Sequence, residues 1–170
     1  MSRLLNRFPL NRLPKRLKNT LLLRIFGMVQ VPMIGYLAPK VIELNEHRCE
    51  ILIPLRRRSR NHLSSMYFGA LCVGADCAGG LIAFEEAARS EIPVSIVFKS
   101  IRGDFLKRPE ADVHFVCEDG KKTRTLIELA VASGERREQA VEILAYTTNP
   151  NKEIVARFEL MLSVKARKKS

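Results

Sequence analysis

The residue best suited to chemistry is Asp76, the only charged side chain in the apolar stretch of residues 63–84. A carboxylate in apolar surroundings can act as a general base or as a nucleophile at a carbonyl carbon. Buried acids without a partner are rare in proteins, which favours a functional role. The alternative is a structural acid satisfied by a neighbouring hydroxyl or amide.

The elements that must position Asp76 follow from the hydrophobic pattern. Residues 63–84 are apolar or small on every side, which predicts a buried helix. The single acid and the amphipathic strands on both sides favour a core helix over a membrane span. Alternating residues predict a hairpin over 41–55 and strands over 92–98, 111–117, 137–147 and 153–165. Helical spacing predicts a short helix over 123–132.

A further helix is predicted near the N-terminus, where Leu17, Leu21, Ile25 and Met28 form one apolar stripe. We expect this stripe to pack on the body of the domain, and the alternative is an amphipathic helix that faces a membrane. Residues 1–14 are predicted to form a basic arm ahead of a single domain that spans residues 15–170.

The net charge of +11 is concentrated at the two ends of the chain. Residues 1–42 contain eight Lys or Arg and no acid, whereas residues 43–164 contain 17 basic and 18 acidic residues. The chain has no Trp and no aromatic residues interleaved with a basic stripe, so we do not expect a nucleic-acid partner. The basic N-terminus predicts at most weak contact with a membrane surface.

The four cysteines contain no C-x-x-C pair, and neither they nor the three histidines have metal-ligand spacing. We therefore expect reduced thiols and no metal. The N-terminus lacks the pattern of a secretory signal, so the cytoplasm is the expected compartment.

Three features carry a resemblance to a known family: Asn61 and Asp76 fifteen residues apart, Tyr67-Phe68-Gly69 in the place of a His-Gly-Gly turn, and Val94-Ser95 early in the next strand. The chain resembles the hotdog-fold thioesterase superfamily over about residues 36–165. The likeness is to phenylacetate-pathway-like acyl-CoA thioesterases, and most to an uncharacterised branch of the superfamily. The implied fold is α+β, with an antiparallel sheet wrapped around a long central helix, an N-terminal helix and a short extra helix between later strands.

The resemblance implies a role for each of these residues in thioester hydrolysis. Asp76 is the base or nucleophile, and the backbone N–H of Phe68 or Gly69 stabilises the developing oxyanion. Asn61 orients water or the thioester through its amide, and Ser95 holds water by its hydroxyl. Taken alone, Asn61 is more often a turn or cap residue, and Ser95 an ordinary strand residue.

The distance between Phe68 and Asp76 limits how such a site is assembled. Eight residues on one helix correspond to about 12 Å along its axis, so one carbonyl cannot touch both. If both act, Asp76 must come from a second subunit, which predicts an isologous dimer with shared sites. The resemblance likewise implies a homodimer or a tetramer.

The expected substrate is acyl-CoA or another acyl thioester, so coenzyme A is part of the substrate and no separate cofactor is expected. Tyr67 and His62 are candidate substrate contacts, with Tyr67 as a plain core residue the alternative. Candidate phosphate contacts are the basic residues near strand ends, Lys99, Arg102, Lys107 and Arg108.

The sequence leaves two other functions open. A hotdog dimer could bind an acyl chain or a partner without turnover, and the altered His-Gly-Gly turn supports this. An acyl-thioester dehydratase pairs a His with an acid fourteen residues later, which His62 and Asp76 reproduce, although the Gly-His-Phe-Pro signature of that family is missing.

Overall fold

The computed structural model describes residues 13–167, and nearly all of the predicted basic arm lies outside this range. The described part forms four helices and six strands. In chain order they are α1 (Lys15–Val29), α2 (Pro32–Leu37), β1 (Lys40–Leu44), β2 (Cys49–Ile53), α3 (Phe68–Ala87), β3 (Val94–Phe105), β4 (Val113–Cys117), α4 (Gly120–Ser133), β5 (Arg137–Thr147) and β6 (Glu153–Ala166).

The six strands form one sheet in the order β1-β2-β4-β5-β6-β3, and every neighbouring pair is antiparallel. Strands β2 to β6 contact α3, whereas β1 packs against α1. The largest fully buried side chains of the sheet include Ile51, Phe115, Ile143, Leu160 and Leu162. The predicted α+β architecture, a sheet wrapped around one long helix, is confirmed.

Small residues let α3 lie close to the sheet. A Cβ added at Gly74 would come within 2.4 Å of the Phe115 ring, which is itself fully buried. The helix is therefore held at a separation that only glycine permits at this position.

The predicted start of the long helix is wrong by five residues. The helix begins at Phe68 rather than at residue 63, because residues 59–67 form a loop held by hydrogen bonds among its own residues. Within it the Tyr67 N–H donates to the Ser59 carbonyl over 2.8 Å, and Ser64 adopts a positive φ of 64°. Residue 63 therefore lies in this loop and not in a helix.

The predicted orientation of the N-terminal helix is also wrong. α1 contacts the body through Thr20, Leu23 and Gly27, whereas the stripe of Leu17, Leu21, Ile25 and Met28 is exposed. The short helix α2 was not predicted; Pro32 stops α1 but also occupies the first turn of α2, where its missing N–H costs nothing.

The two edges of the sheet differ in how they are covered. At the β1 edge, the Val41 N–H donates to Thr20 Oγ1 over 2.9 Å, and the Arg16 Nε donates to the Val41 carbonyl over 3.3 Å. The β3 edge pairs only with β6 in the described part of the chain. A long uncovered edge strand is a template for pairing with another chain.

Candidate active site

One stripe of α3 is left uncovered by the sheet and by the other helices. It consists of residues at four-residue spacing, Phe68, Cys72, Asp76, Gly80 and Phe84, whose side chains are half-buried or exposed. The side that faces the sheet is buried, and Gly69, Val73, Leu81, Glu85 and Ala87 are partly buried. The expectation of a helix enclosed on all sides is therefore wrong for a single chain, and the uncovered stripe, which we call the open stripe, contains the one acid.

The Asp76 carboxylate is half-buried and has no hydrogen-bond or ion-pair partner among residues 13–167. Burial raises the pKa of this carboxyl above its usual value. A structural acid in this position would be expected to accept hydrogen bonds from its neighbours. Because the Asp76 carboxylate accepts no hydrogen bond from the described residues, it is available to a substrate or to another subunit.

Two backbone donors are free at the start of α3. The Ala70 and Leu71 N–H groups donate to the Tyr67 carbonyl over 2.9 and 3.2 Å, whereas the N–H groups of Phe68 and Gly69 have no acceptor in the described residues. No side chain caps this helix end. Free N–H groups at the positive end of the helix dipole can stabilise a developing negative charge.

Asn61 organises the loop that leads into α3. Its Oδ1 accepts hydrogen bonds from the N–H groups of Leu63 (2.9 Å) and Ser65 (3.2 Å) and from the Ser65 hydroxyl (3.2 Å). Asn61 is therefore a turn residue that bonds through Oδ1. Its Nδ2 has no acceptor among the described residues and can still donate. Both interpretations of Asn61 are compatible with this geometry.

Aromatic rings extend from the helix start to the sheet edge. The Tyr67 and Phe68 centroids are 4.8 Å apart, Phe68 and Phe105 6.2 Å, and Phe105 and Phe158 5.7 Å. Tyr67, Phe68 and Phe105 are exposed. Phe105 was not singled out in the sequence, because it lies seven residues beyond the predicted end of its strand.

The structure separates Ser95 from this site. Val94 and Ile96 pack against the core, and Ser95 points to the opposite face of the sheet, where it stands beside exposed Lys165. A sheet thus lies between the Ser95 hydroxyl and α3. The expected role of Ser95 in holding water near Asp76 is wrong for this reason.

The predicted phosphate contacts are scattered. Lys99 pairs with Glu138 at 2.8 Å, Lys107 pairs with Glu153, and Arg108 pairs with Glu110 at 2.8 Å. Arg102 lies on the outer face of the sheet in a groove of about 640 Å³, away from α3.

Arg108 is the basic residue with a structural link to the site. It lines a cavity of about 370 Å³ together with Pro109, and the Pro109 carbonyl accepts a 2.9 Å hydrogen bond from the Met66 N–H two residues before α3. His62 lies exposed in the same loop. The structure thus gathers Asn61, His62, Tyr67, Phe68 and Gly69 around the helix start, while Asp76 lies two turns away.

α3 is the one helix of the described range with the length and hydropathy of a membrane span, and half of its apolar stretch is buried inside the fold. It is the core helix of the domain. The four cysteines are free, as predicted, and Cys49, Cys77 and Cys117 are buried.

Comparison with known proteins identifies one matching family. A family model described as a domain of unknown function, DUF4442, matches residues 19–164. None of the curated proteins matches the chain.

Several solved structures share the fold. A protein of unknown function from Pseudomonas aeruginosa, described as a probable thioesterase, is 21% identical with a TM-score of 0.72, covering 91% of this chain and 97% of that one. A thioesterase from Haemophilus influenzae is 13% identical with a TM-score of 0.63 and coverages of 91% and 93%. A thioesterase family protein from Silicibacter pomeroyi is 16% identical with a TM-score of 0.62 and coverages of 87% and 99%. At these identities the likeness establishes the hotdog fold.

Proposed function

The chain belongs to the DUF4442 family, and on that premise we propose that it is an acyl-thioester hydrolase that acts on acyl-CoA as a dimer. The observation that carries the proposal is the Asp76 carboxylate, held half-buried and unpartnered on the open stripe of α3. The hotdog neighbours named thioesterases support the same reaction class.

The dimer we propose pairs the open stripes of two α3 helices in antiparallel fashion. Positions 68 and 76 are symmetric about position 72, so this pairing brings the partner's Asp76 to the Phe68 N–H when the two-fold axis passes beside Cys72. Cys72 and Gly80 are small, which permits close helix approach. The uncovered β3 edge, with exposed Val97 and Ile101, supports an association that also extends the sheet.

The proposed chemistry uses one group from each chain. The thioester carbonyl oxygen accepts hydrogen bonds from the Phe68 and Gly69 N–H groups, while the partner's Asp76 takes a proton from an attacking water or attacks the carbonyl carbon itself. The C–S bond then breaks, the coenzyme A thiolate leaves and is protonated, and the carboxylic acid is released; an acyl-Asp76 anhydride, if formed, is first hydrolysed by water. Asn61 donates from Nδ2 to the water or the thioester.

The substrate's two ends have candidate positions around the helix start. The exposed rings of Tyr67, Phe68 and Phe105 offer an apolar surface for the acyl group. Arg108, beside the 370 Å³ cavity that reaches Pro109, is the candidate contact for a coenzyme A phosphate. Its pairing with Glu110 is solvent-exposed and therefore weak enough to be exchanged for phosphate.

The test is a thiol-release assay with short, aromatic and long acyl-CoA substrates. We expect hydrolysis by the wild type and a loss of about 10²-fold or more in Asp76→Asn. Glu85→Gln is the matched control, because it removes a carboxylate from the same helix outside the open stripe and should retain activity. Full activity in Asp76→Asn would remove Asp76 from the mechanism.

A second candidate, an acyl-binding dimer without turnover, is favoured by one specific contact. The Tyr67 ring lies over Gly69, with its Cε1 2.5 Å from the position a Cβ would take. The ring therefore lies against the backbone of one of the two proposed oxyanion donors, which favours a site that binds without turnover. Tight binding of acyl-CoA without release of thiol from any substrate would favour this candidate, and hydration of crotonyl-CoA that depends on His62 would instead favour the dehydratase.

A further inference from the structure

The N-terminal helices present an apolar surface to the outside of the molecule. We call it the N-terminal apolar face; it is formed by exposed side chains of α1 and α2, namely Leu17, Leu21, Ile25, Met28, Val29, Met33 and Tyr36. The exposed fraction reaches 74% at Met28 and 69% at Val29. Contiguous exposed apolar patches on soluble domains mark interaction surfaces.

The face is not a by-product of poor packing. α1 has a separate buried side made of Thr20, Leu23 and Gly27, and Gly27 lies so close to Gly35 of α2 that an added Cβ would be 2.5 Å from the Gly35 backbone N. The two helices are thus tightly joined to each other and to β1. The outward apolar residues form a second side, which packing within the described fold does not require.

The charged residues of the two N-terminal helices have one sign. Residues 1–42 contain no acid, and all 18 acids of the chain lie between residues 43 and 159. Within the described range, the following basic residues have no acidic side chain within salt-bridge distance: Lys15, Arg16, Lys18, Arg24, Lys40, Arg56, Arg57 and Arg58. Two of them, Arg16 and Arg24, donate to the Val41 and Pro39 carbonyls on the side of α1 that packs on the body.

The arginine-rich loop belongs to the same surface. The Arg58 guanidinium donates from Nη1 to the Tyr36 carbonyl over 2.7 Å and lies 5.8 Å from the centroid of the Tyr36 ring. Arg56 and Arg57 are exposed beside it. The loop between β2 and α3 thus extends the basic border from α1 to the far end of α2.

We propose that the N-terminal apolar face docks on anionic lipid bilayers. Apolar side chains of an interfacial helix enter the boundary between headgroups and acyl chains, while surrounding Lys and Arg are attracted to anionic lipid. The complementarity of charge favours this occupant over a second copy of the chain, because two such faces would bring basic borders of like sign together. The inference does not depend on the proposed enzymatic function.

The first experiment uses the absence of tryptophan from the chain. Met28→Trp places the single tryptophan of the chain on the face, and Leu129→Trp places it at an exposed position of α4 as the matched control. We expect the emission of Met28→Trp to shift to shorter wavelength on addition of phosphatidylcholine vesicles with about 30 mol % phosphatidylserine. Leu129→Trp should not shift. A blue emission of Met28→Trp before vesicles are added would show that protein already covers the face and would overturn the proposal.

The second experiment separates the face from the basic termini. In vesicle flotation with the same lipids, Leu17→Glu/Met28→Glu should bind at least about tenfold more weakly than the wild type. Leu129→Glu changes a residue about as exposed as Leu17, and it should bind as the wild type does. Wild-type binding should fall as salt rises from about 0.1 to about 0.5 M. Undiminished binding of the double variant contradicts the proposal. So does a loss of dimer in that variant by light scattering, since the occupant would then be a second copy.

Discussion

At the scale of the residue, Asp76 combines features that stability alone does not explain. Its carboxylate is desolvated enough for burial to raise its pKa, yet no described side chain or backbone N–H compensates it. Glu86, a buried acid of the same helix, does have a partner, because Arg124 Nε donates to its carboxylate over 2.8 Å. The contrast between two acids ten residues apart on α3 supports the role proposed for Asp76.

This contrast predicts that Asp76→Asn stabilises the fold at neutral pH. The folded state holds the proton of Asp76 more tightly than the unfolded state, whose pKa is near 3.8. Stability is therefore lost as pH rises from 3.8 through the raised pKa, and the deficit persists above it. The variant lacks this deficit, so its melting temperature should exceed that of the wild type at pH 7; about 1 kcal/mol would correspond to about 2–4 °C.

Thermal unfolding of both proteins across the acid range is the measurement. The difference should shrink as pH falls below the raised pKa and vanish where Asp76 is protonated in both states. A variant less stable than the wild type at pH 7 would mean that Asp76 has a stabilising partner in the assembled protein.

At the scale of the element, two glycines of α3 lie on different sides of the helix and have different roles. Gly74 faces the sheet, where the Phe115 ring occupies the space of a side chain, whereas Gly80 lies on the open stripe with only Phe98 at 3.8 Å from an added Cβ. One glycine permits packing within the chain. The other leaves room on the uncovered side.

Gly74→Ala should therefore destabilise the protein although alanine favours helix. The added methyl group meets a fully buried ring 2.4 Å away, and such overpacking costs about 1–3 kcal/mol, against about 1 kcal/mol gained in helix propensity. Urea unfolding at fixed protein concentration is the measurement.

Gly80→Ala is the matched comparison for Gly74→Ala. Within the protomer it meets only ordinary contacts, so stability should be retained or slightly raised. If Gly74→Ala were the better tolerated of the two, the close approach to Phe115 would not limit this position.

At the scale of the whole molecule, one protomer leaves three features unfinished. Among residues 13–167 nothing covers the open stripe and β3 has no second neighbour, and the helix-start donors lie about 12 Å from Asp76. One two-fold association would complete all three, which supports the dimer proposed above.

This association predicts that Cys72 lies next to its own copy. A short bifunctional thiol reagent should convert the protein to a covalent dimer on a denaturing gel, at mildly alkaline pH because burial raises the pKa of the Cys72 thiol. Cys72→Ser should abolish the product, since the other three cysteines are buried. A covalent dimer that persists in Cys72→Ser, or a monomeric mass by light scattering, would contradict the pairing.

The elements themselves were largely predictable from the sequence, because their periods are local. β5 spans the predicted residues 137–147, and β6 extends one residue past the predicted 153–165 at its end. The alternation of Val94 and Ile96 also predicts that Ser95 faces outward, in contrast to the role that the family resemblance implies. Helix α2 is six residues long, too short for a periodic signal.

The sequence by itself determined the order and type of the elements, the lone acid on an apolar helix and the concentration of basic residues at the ends, because composition and periodicity are properties of neighbouring residues. Only the tertiary structure decided which side of each element is covered. An apolar stripe has the same sequence pattern whether it contacts a sheet or solvent. The exposure of the apolar stripe of α1 and of the open stripe of α3 therefore depends on contacts between residues far apart in the chain.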